Sequence, residues 1–217
     1  MINKLTTPQE AAALVQDGMT LMIGGFLANG TPENIIDELV RQGKKDLTLI
    51  VNDTAYPDRG CGKLIVNSQI KKLYVSHIGT NPVTGEKLNN GTLDVEFCPQ
   101  GTLAERVRCG GSGLGGFLTP VGIGTIIEEG KQKLTVNGKE YLLELPLHAD
   151  VAFIYADKAD EMGNLIYMGT EQNFNPLMAM AADTVVAEVA QILPAGSLSP
   201  ESIHTSHVLV DKLVKHQ

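Results

Sequence analysis

With 217 residues, 43% of them hydrophobic, 23 glycines and no tryptophan, the chain is long enough for one α/β domain with a full core or for two small ones. Its formal charge of -8 and isoelectric point near 5.1 exclude the basic surface that nucleic acid or an anionic membrane requires of a partner. An anionic ligand would be held here by local dipoles and a few cations, not steered by net charge.

The three cysteines, Cys61, Cys98 and Cys109, are too few and too irregularly spaced for a disulfide framework or a C-x-x-C metal or redox site, and they suit a reducing compartment. The start of the chain, "MINKLTTPQEAAALVQ", lacks the apolar core of a signal peptide. Thr7-Pro8-Gln9-Glu10 reads instead as a capping box opening a helix. No stretch approaches the roughly 18 apolar residues of a membrane span. A soluble, cytoplasmic protein is expected.

Met19 to Ile23 follows an Asp-Gly turn as a short, largely apolar run, which suits a strand buried on both faces of a parallel sheet. Gly24 and Gly25 then remove side chains where the chain leaves the sheet. One reading makes strand, glycine loop and helix N-terminus an anion or carbonyl-oxygen site, with main-chain N–H groups open to a ligand. The other is an ordinary strand-to-helix turn with nothing bound. The next helix has Thr31 as its expected N-cap, Pro32 at its first position, Ile35, Ile36, Leu39 and Val40 on one face, and Gly43 as its stop.

"LTLIV" (47–51) is a second continuous apolar strand, ending at Asn52-Asp53. "GCGKLIVNSQ" reads as a short helix and "KLYVSHIG" (72–79) as a strand again. This alternation predicts an α/β fold, a Rossmann-like and mostly parallel sheet with helices on both faces. Ligands gather at the carboxyl ends of such strands, where Gly24, Asn52 and His77 stand. "TLDVEFCPQGTLAERVRCGG" gives a strand, a turn at Pro99 and a helix from about Thr102. Residues 110–140 form a small glycine-rich excursion, containing a hairpin that turns at Asn137-Gly138. "ADVAFIYADKADEMGNLIYMG" adds a buried strand and a second hairpin arm. "NFNPLMAMAADTVVAEVAQIL" offers an Asn-capped, Pro-started helix and a last strand. With no repeat, linker or low-complexity tract, residues 1–217 read as one domain.

Several motifs carry no chemistry in this context. Gly111, Gly113 and Gly116 spell G-x-G-x-x-G, but a helix precedes them, whereas a dinucleotide fingerprint leaves a strand and opens a helix. His204 and His207, with Glu201, have metal-like spacing but neither a helix to hold the register nor a second carboxylate, so no metal site is expected. Cys61 has no histidine at a catalytic spacing and reads as a small buried residue. Asn52 is a more open case. A carboxamide at a strand end can donate to a developing oxyanion without adding charge, or it can simply form the turn. Gln100 poses the same choice between loop residue and cleft donor.

"DGMTLMIGGFLANGTP" resembles the α-subunit signature of the family I coenzyme A transferases: [Asp/Asn]-[Gly/Asn], two residues, three apolar residues, Gly-Gly-Phe, three residues, Gly-x-Pro. Asp17, Gly18, Leu21, Met22, Ile23, Gly24, Gly25, Phe26, Gly30 and Pro32 all match it. "PQGTLAERVRCGGSG", "TPVGIGT", "KADEMGNL" and "NFNPLMAMAADTVVAEV" extend the likeness over nearly the whole chain. Within the family it looks most like subunits of the bacterial acetate/acetoacetate type. The resemblance implies ping-pong transfer of CoA between a short-chain acyl-CoA and a short-chain fatty or 3-oxo acid, with coenzyme A as co-substrate and no further cofactor. It implies a β subunit, in an α2β2 assembly, whose glutamate in a Ser-x-Asn-Gly-like motif attacks the thioester. This chain has no "SENG"; its nearest stretch, "DEMGN", falls in a hairpin turn. The family likeness makes Gly24, Gly25, Phe26, Leu27, Ala28, Asn29 and Gly30 the CoA-binding segment, Asn52 an oxyanion donor and Gln100 a cleft residue. Two rivals are a sugar-phosphate isomerase, which must carry its own base, and a noncatalytic CoA-binding subunit.

Overall fold

A computed structural model of the chain describes residues 3–217. β1 (Leu5–Thr6) leads into α1 (Pro8–Ala13), whose start is the expected capping box: Glu10 N donates to Thr7 Oγ1 at 3.2 Å and Thr7 N to Glu10 Oε2 at 3.1 Å. The alternating half follows as β2 (Thr20–Ile23), α2 (Glu33–Gln42), β3 (Leu47–Ile50), α3 (Gly62–Val66), β4 (Ile70–Val75), α4 (Pro82–Asn89), β5 (Asp94–Phe97) and α5 (Gln100–Gly111). The glycine-rich excursion contains β6 (Phe117–Thr119), β7 (Lys133–Val136) and β8 (Lys139–Glu144). β9 (Ala149–Asp160), β10 (Leu165–Ile166), α6 (Asn175–Met178), β11 (Ala182–Leu193) and β12 (Lys212–Lys215) complete the chain.

The main sheet runs β1-β12-β11-β9-β2-β3-β4-β5, every pair parallel, with β10 alone antiparallel on β9. The chain steps outward from β2 to β5 and then returns to β2's other side with β9, so the strand order reverses at β2. Such a reversal opens a crevice at the carboxyl ends of the strands. β2 is buried on both faces: Leu21 and Ile23 join the core under α1, α2 and α3, while Met22 joins the core of α5 and α6 on the opposite face. A period of two residues sends neighbouring side chains to opposite faces. A continuous apolar run is therefore what this position requires.

The excursion is a separate antiparallel sheet, β6-β8-β7. Its hairpin turns at Asn137 and Gly138, with φ of 52° and 76°, the left-handed pair a two-residue turn needs. Arg106 of α5 ties it down: its Nη1 is 2.6 Å from Glu96 of β5 and its Nε 3.8 Å from Glu144 of β8, which Lys131 also approaches at 2.6 Å.

Four expectations change. α2 begins at Glu33 and has no side-chain cap, because the Thr31 hydroxyl donates backwards to the Gly24 carbonyl at 3.2 Å. α5 starts at Gln100, with Pro99 as its cap, so Gln100 belongs to the first turn and not to the loop. α6 is one turn capped at Phe174, and neither asparagine beside it caps it with a side chain. β11 is not the last strand; β12 follows it, with only Leu213 and Val214 buried between two lysines. Two apolar residues are too weak a period to announce a strand.

Candidate active site

The stretch Gly24–Gly30 leaves β2 and folds at once into a tight turn. Phe26 N donates to Asn29 O at 3.0 Å and Asn29 N to Phe26 O at 2.9 Å. The two central residues, Leu27 (φ 48°) and Ala28 (φ 66°), are both left-handed, a conformation that normally selects Asn and Gly. Phe26 stands 43% exposed at the edge of the cleft.

The glycines admit neighbours from the chain itself. Where a β-carbon would stand on Gly24, Gly25 and Gly30, atoms of Asn175, Thr31 and Glu171 already lie at 1.7, 2.0 and 2.9 Å. The N–H groups of Gly24, Gly25, Phe26, Leu27 and Asn29 all have acceptors within the chain. Only those of Ala28 and Gly30, among the loop residues, have no acceptor among the described residues.

The start of α2 is likewise occupied. The buried carboxylate of Glu188, on β11, accepts from Asn34 N at 3.2 Å and Ile35 N at 3.0 Å. Burial pushes the Glu188 pKa up, against the His216 side chain and the two N–H groups, which favour the anion. This carboxylate takes the place at the helix dipole where one of the two readings of the sequence put a ligand anion or carbonyl oxygen.

At the carboxyl end of β3 the chain places Asn52 and Asp53, 2% and 5% exposed. Asn52 Oδ1 accepts from Gln100 Nε2 at 2.8 Å and from the Ser76 hydroxyl at 3.0 Å, while Asn52 Nδ2 donates to Asp53 Oδ2 at 2.8 Å. A carboxylate only accepts, so the nitrogen must face Asp53 and the amide cannot be flipped. One of the two Nδ2 hydrogens remains uncommitted. Asp53 in turn accepts from Leu27 N at 3.0 Å and Ala55 N at 2.8 Å. With three donors on two oxygens it is a fixed anchor and not a free nucleophile.

These groups line a cavity of about 370 Å³ with Phe26, Leu27, His77 and Thr80. The structure thus joins the turn after β2, the Asn52-Asp53 pair after β3, Ser76 and His77 after β4, and Gln100 at the start of α5. A larger cleft of about 460 Å³ lies between β5 and the excursion, but its charges include Lys131, already paired with Glu144, and none of the β2, β3 or β4 strand-end groups reaches it.

Other candidates have structural duties. Cys61 is buried, its thiol donating to Asp53 O at 3.3 Å; burial raises its pKa far above the usual range, and Asp53 and Glu33 add to this. His204 Nδ1 accepts from Tyr167 N at 3.0 Å and its ring stacks on Tyr167. In "DEMGN", Asp160 accepts from the N–H groups of Met162, Gly163 and Asn164 at 3.0–3.1 Å. Burial alone would raise the Asp160 pKa, but the Asn164 side chain and the N–H groups of Asn164, Gly196 and Gly163 hold it below the carboxylate range. Sequence reasoning missed Asp53, Ser76 and Glu188 as members of this arrangement. An Asp after a strand reads as a turn former, and no local pattern links Glu188 to a helix start 153 residues away.

The family model for coenzyme A transferase matches residues 5–216. The acetate CoA-transferase subunit alpha of Escherichia coli is 51% identical over 217 residues, covering 100% of this chain and 99% of its own. The acetoacetyl-CoA:acetate/butyrate CoA transferase alpha subunit of Clostridium acetobutylicum is 54% identical over 215 residues, 99% of each chain. An acyl-CoA transferase of E. coli O157:H7, solved as a thioester complex with CoA, superposes with a TM-score of 0.87 at 21% identity, over 99% of this chain and 47% of that one.

Proposed function

This chain belongs to the coenzyme A transferase family, and we propose that it is the α subunit of an enzyme moving CoA between a short-chain acyl-CoA, of the acetyl or acetoacetyl type, and a short-chain fatty or 3-oxo acid. The observation that carries the reading is the Asn52 site. It presents a buried, orientation-locked N–H donor beside an accessible cavity, while the adjoining carboxylate, Asp53, is held in place by three hydrogen bonds. That is half of an acyl-transfer site: an oxyanion donor without an attacking group.

In this reading a glutamate of a β subunit attacks the thioester carbon. The carbonyl oxygen gains charge as the tetrahedral adduct forms, and the free Asn52 Nδ2 hydrogen meets it. The CoA thiolate then leaves, and the acyl group stays on the glutamate as an anhydride. The thiolate next attacks the glutamyl carbonyl of the anhydride, releasing the first carboxylate and leaving a glutamyl-CoA thioester. The incoming carboxylate attacks that thioester to give a second anhydride and free thiolate, and the thiolate takes the new acyl group and frees the glutamate. Phe26, Leu27 and the unpaired Ala28 N–H border the CoA path. The names of the relatives, each an alpha subunit, support a β partner; an α2β2 assembly in the cytoplasm is part of the proposal. No helix among the described residues is long and apolar enough to cross a membrane.

The test is to assay CoA transfer from acetoacetyl-CoA to acetate with the isolated chain and with the chain assembled with its β subunit. Turnover is expected only in the assembly. Robust transfer by the isolated chain would overturn the division of labour, and CoA binding without turnover in the assembly would favour a noncatalytic subunit.

A further inference from the structure

We infer that Asn173 and Asn175 are positioning residues for this reaction: they clasp the Gly24–Gly30 loop from behind and hold the Phe26–Asn29 turn in the left-handed conformation that delivers Leu27 N to Asp53. The inference rests on the assignment of the reacting thioester to the Asn52 cleft.

Three main-chain groups of the loop end on these two side chains. Asn173 Oδ1 accepts from Gly25 N at 3.2 Å, and Asn173 Nδ2 donates to Asn29 O at 3.1 Å. Asn175 Nδ2 donates to Gly30 O at 2.9 Å and to Glu171 O at 2.7 Å, while its Oδ1 accepts from Tyr155 N at 3.2 Å. Asn175 is completely buried and uses both of its side-chain amide hydrogens. Its Oδ1 occupies the space that a β-carbon on Gly24 would need. The two asparagines thus grip the loop at both ends, Gly25 on one side and Asn29 and Gly30 on the other. Thr170 adds a bond, its Oγ1 accepting from Asn29 Nδ2 at 2.5 Å.

What lies between the grips is Leu27 and Ala28, two non-glycine residues at positive φ. Such residues persist only where the surroundings over-determine them. Released from its ends, the turn would relax toward the right-handed region and withdraw Leu27 N from Asp53. Asp53 Oδ2 is also the partner of Asn52 Nδ2. The clasp therefore reaches the oxyanion donor through two hydrogen bonds. Asparagine suits the task because one short planar group offers both an acceptor and a donor; aspartate cannot donate and alanine can do neither.

The test uses the assembled enzyme. Asn173 is only partly buried, so Asn173→Ala is the first variant, with Asn52→Ala measured beside it. If the clasp positions the site, Asn173→Ala lowers kcat by about tenfold or more, with any rise in KM for the acyl-CoA smaller than the fall in kcat, because the released turn borders the CoA path as well as holding the oxyanion donor. Amide hydrogen exchange at Leu27 and Asn29 should quicken in the same variant. If Asn52→Ala lowers kcat but Asn173→Ala leaves both kcat and exchange unchanged, the clasp is overturned and the cleft assignment stands. If neither substitution changes kcat, the cleft assignment falls and the inference with it. Should Asn173→Ala fail to assemble, Asn173→Ser, which keeps a hydroxyl at this position, is read against the same outcomes.

Discussion

Asn52 donates from Nδ2 to the carboxylate of its sequence neighbour Asp53 at 2.8 Å. Two side chains that follow each other at the end of a strand ordinarily point apart, yet here both turn into one cleft because the chain has left β3 and pairs irregularly with His77. The bond leaves one Asn52 hydrogen free and sets its direction. It also puts a negative charge one residue from the place where an oxyanion is expected to form, which is tolerable only because Leu27 N and Ala55 N share that charge.

Asn52→Ala in the assembled enzyme should lower kcat far more than it weakens acyl-CoA binding. Losing one oxyanion donor costs about 2.7–4 kcal/mol of transition-state stabilisation, or roughly 10²- to 10³-fold in kcat. Asn52→Asp should do at least as much harm, since it places a second carboxylate against Asp53. Steady-state kinetics of both variants check this, and an unchanged kcat would reduce Asn52 to a turn former.

Asp53→Ala should weaken both fold and activity, because it strands the N–H groups of half-buried Leu27 and buried Ala55 and frees the Asn52 amide to rotate. Hydrogen bonds to a charged group contribute about 1.5–3 kcal/mol each, so a drop in unfolding free energy of that order is expected. Urea unfolding measures it. A stable variant with full kcat would mean that neither the turn nor Asn52 depends on this carboxylate.

Gly25→Ala should lower kcat/KM in an enzyme that still assembles. The residue has φ of 133°, and a β-carbon would lie 2.0 Å from Thr31 Oγ1. The loop must therefore shift. Sizing of the complex before kinetics separates lost assembly from lost chemistry; a correctly assembled variant with unchanged kcat/KM would move the reacting atoms away from this loop.

Glu38, on α2, gives a pH dependence of stability. Its carboxylate accepts from Arg41 Nε and Nη2 at 2.8 and 2.6 Å and from Gln42 Nε2 at 2.9 Å. Arg41 first, then Gln42, holds its pKa down to about 2, against an ordinary 4.5. A depressed carboxyl stabilises the fold above its unfolded pKa. That contribution is present above about pH 4.5 and is lost as the pH falls toward 2. Urea midpoints measured across this range should fall less steeply for Glu38→Gln than for the parent chain; parallel curves would remove Glu38 from the acid response.

Much of this molecule was decided locally. Buried strands announce themselves as apolar runs because both faces of a parallel sheet exclude water, and β2 and β3 were legible for that reason. The capping box at Thr7, the stop at Gly43 and the turn at Asn137-Gly138 depend on neighbours within four residues. The family likeness likewise lay in the chain itself, in the Asp17–Pro32 signature. Asn52, Gln100, Phe26 and Leu27 could be named from sequence, and the fold brings all four to one cavity.

What the sequence could not reveal was who approaches whom. The glycines of "GGFLANG" spoke of a close approach, and only tertiary structure assigned it to Asn175, Thr31 and Glu171. The start of α2 promised an anion, which proved to be Glu188 from a strand 153 residues further on. Asp53, Asn173 and Asn175 looked like ordinary turn and cap residues, since the loop groups they bond, at Leu27, Gly25 and Gly30, lie 26 to 148 residues away. A polar side chain of short reach bonds whatever the fold sets within about 3 Å. Its type is written in the sequence, but its partner is chosen by strand order.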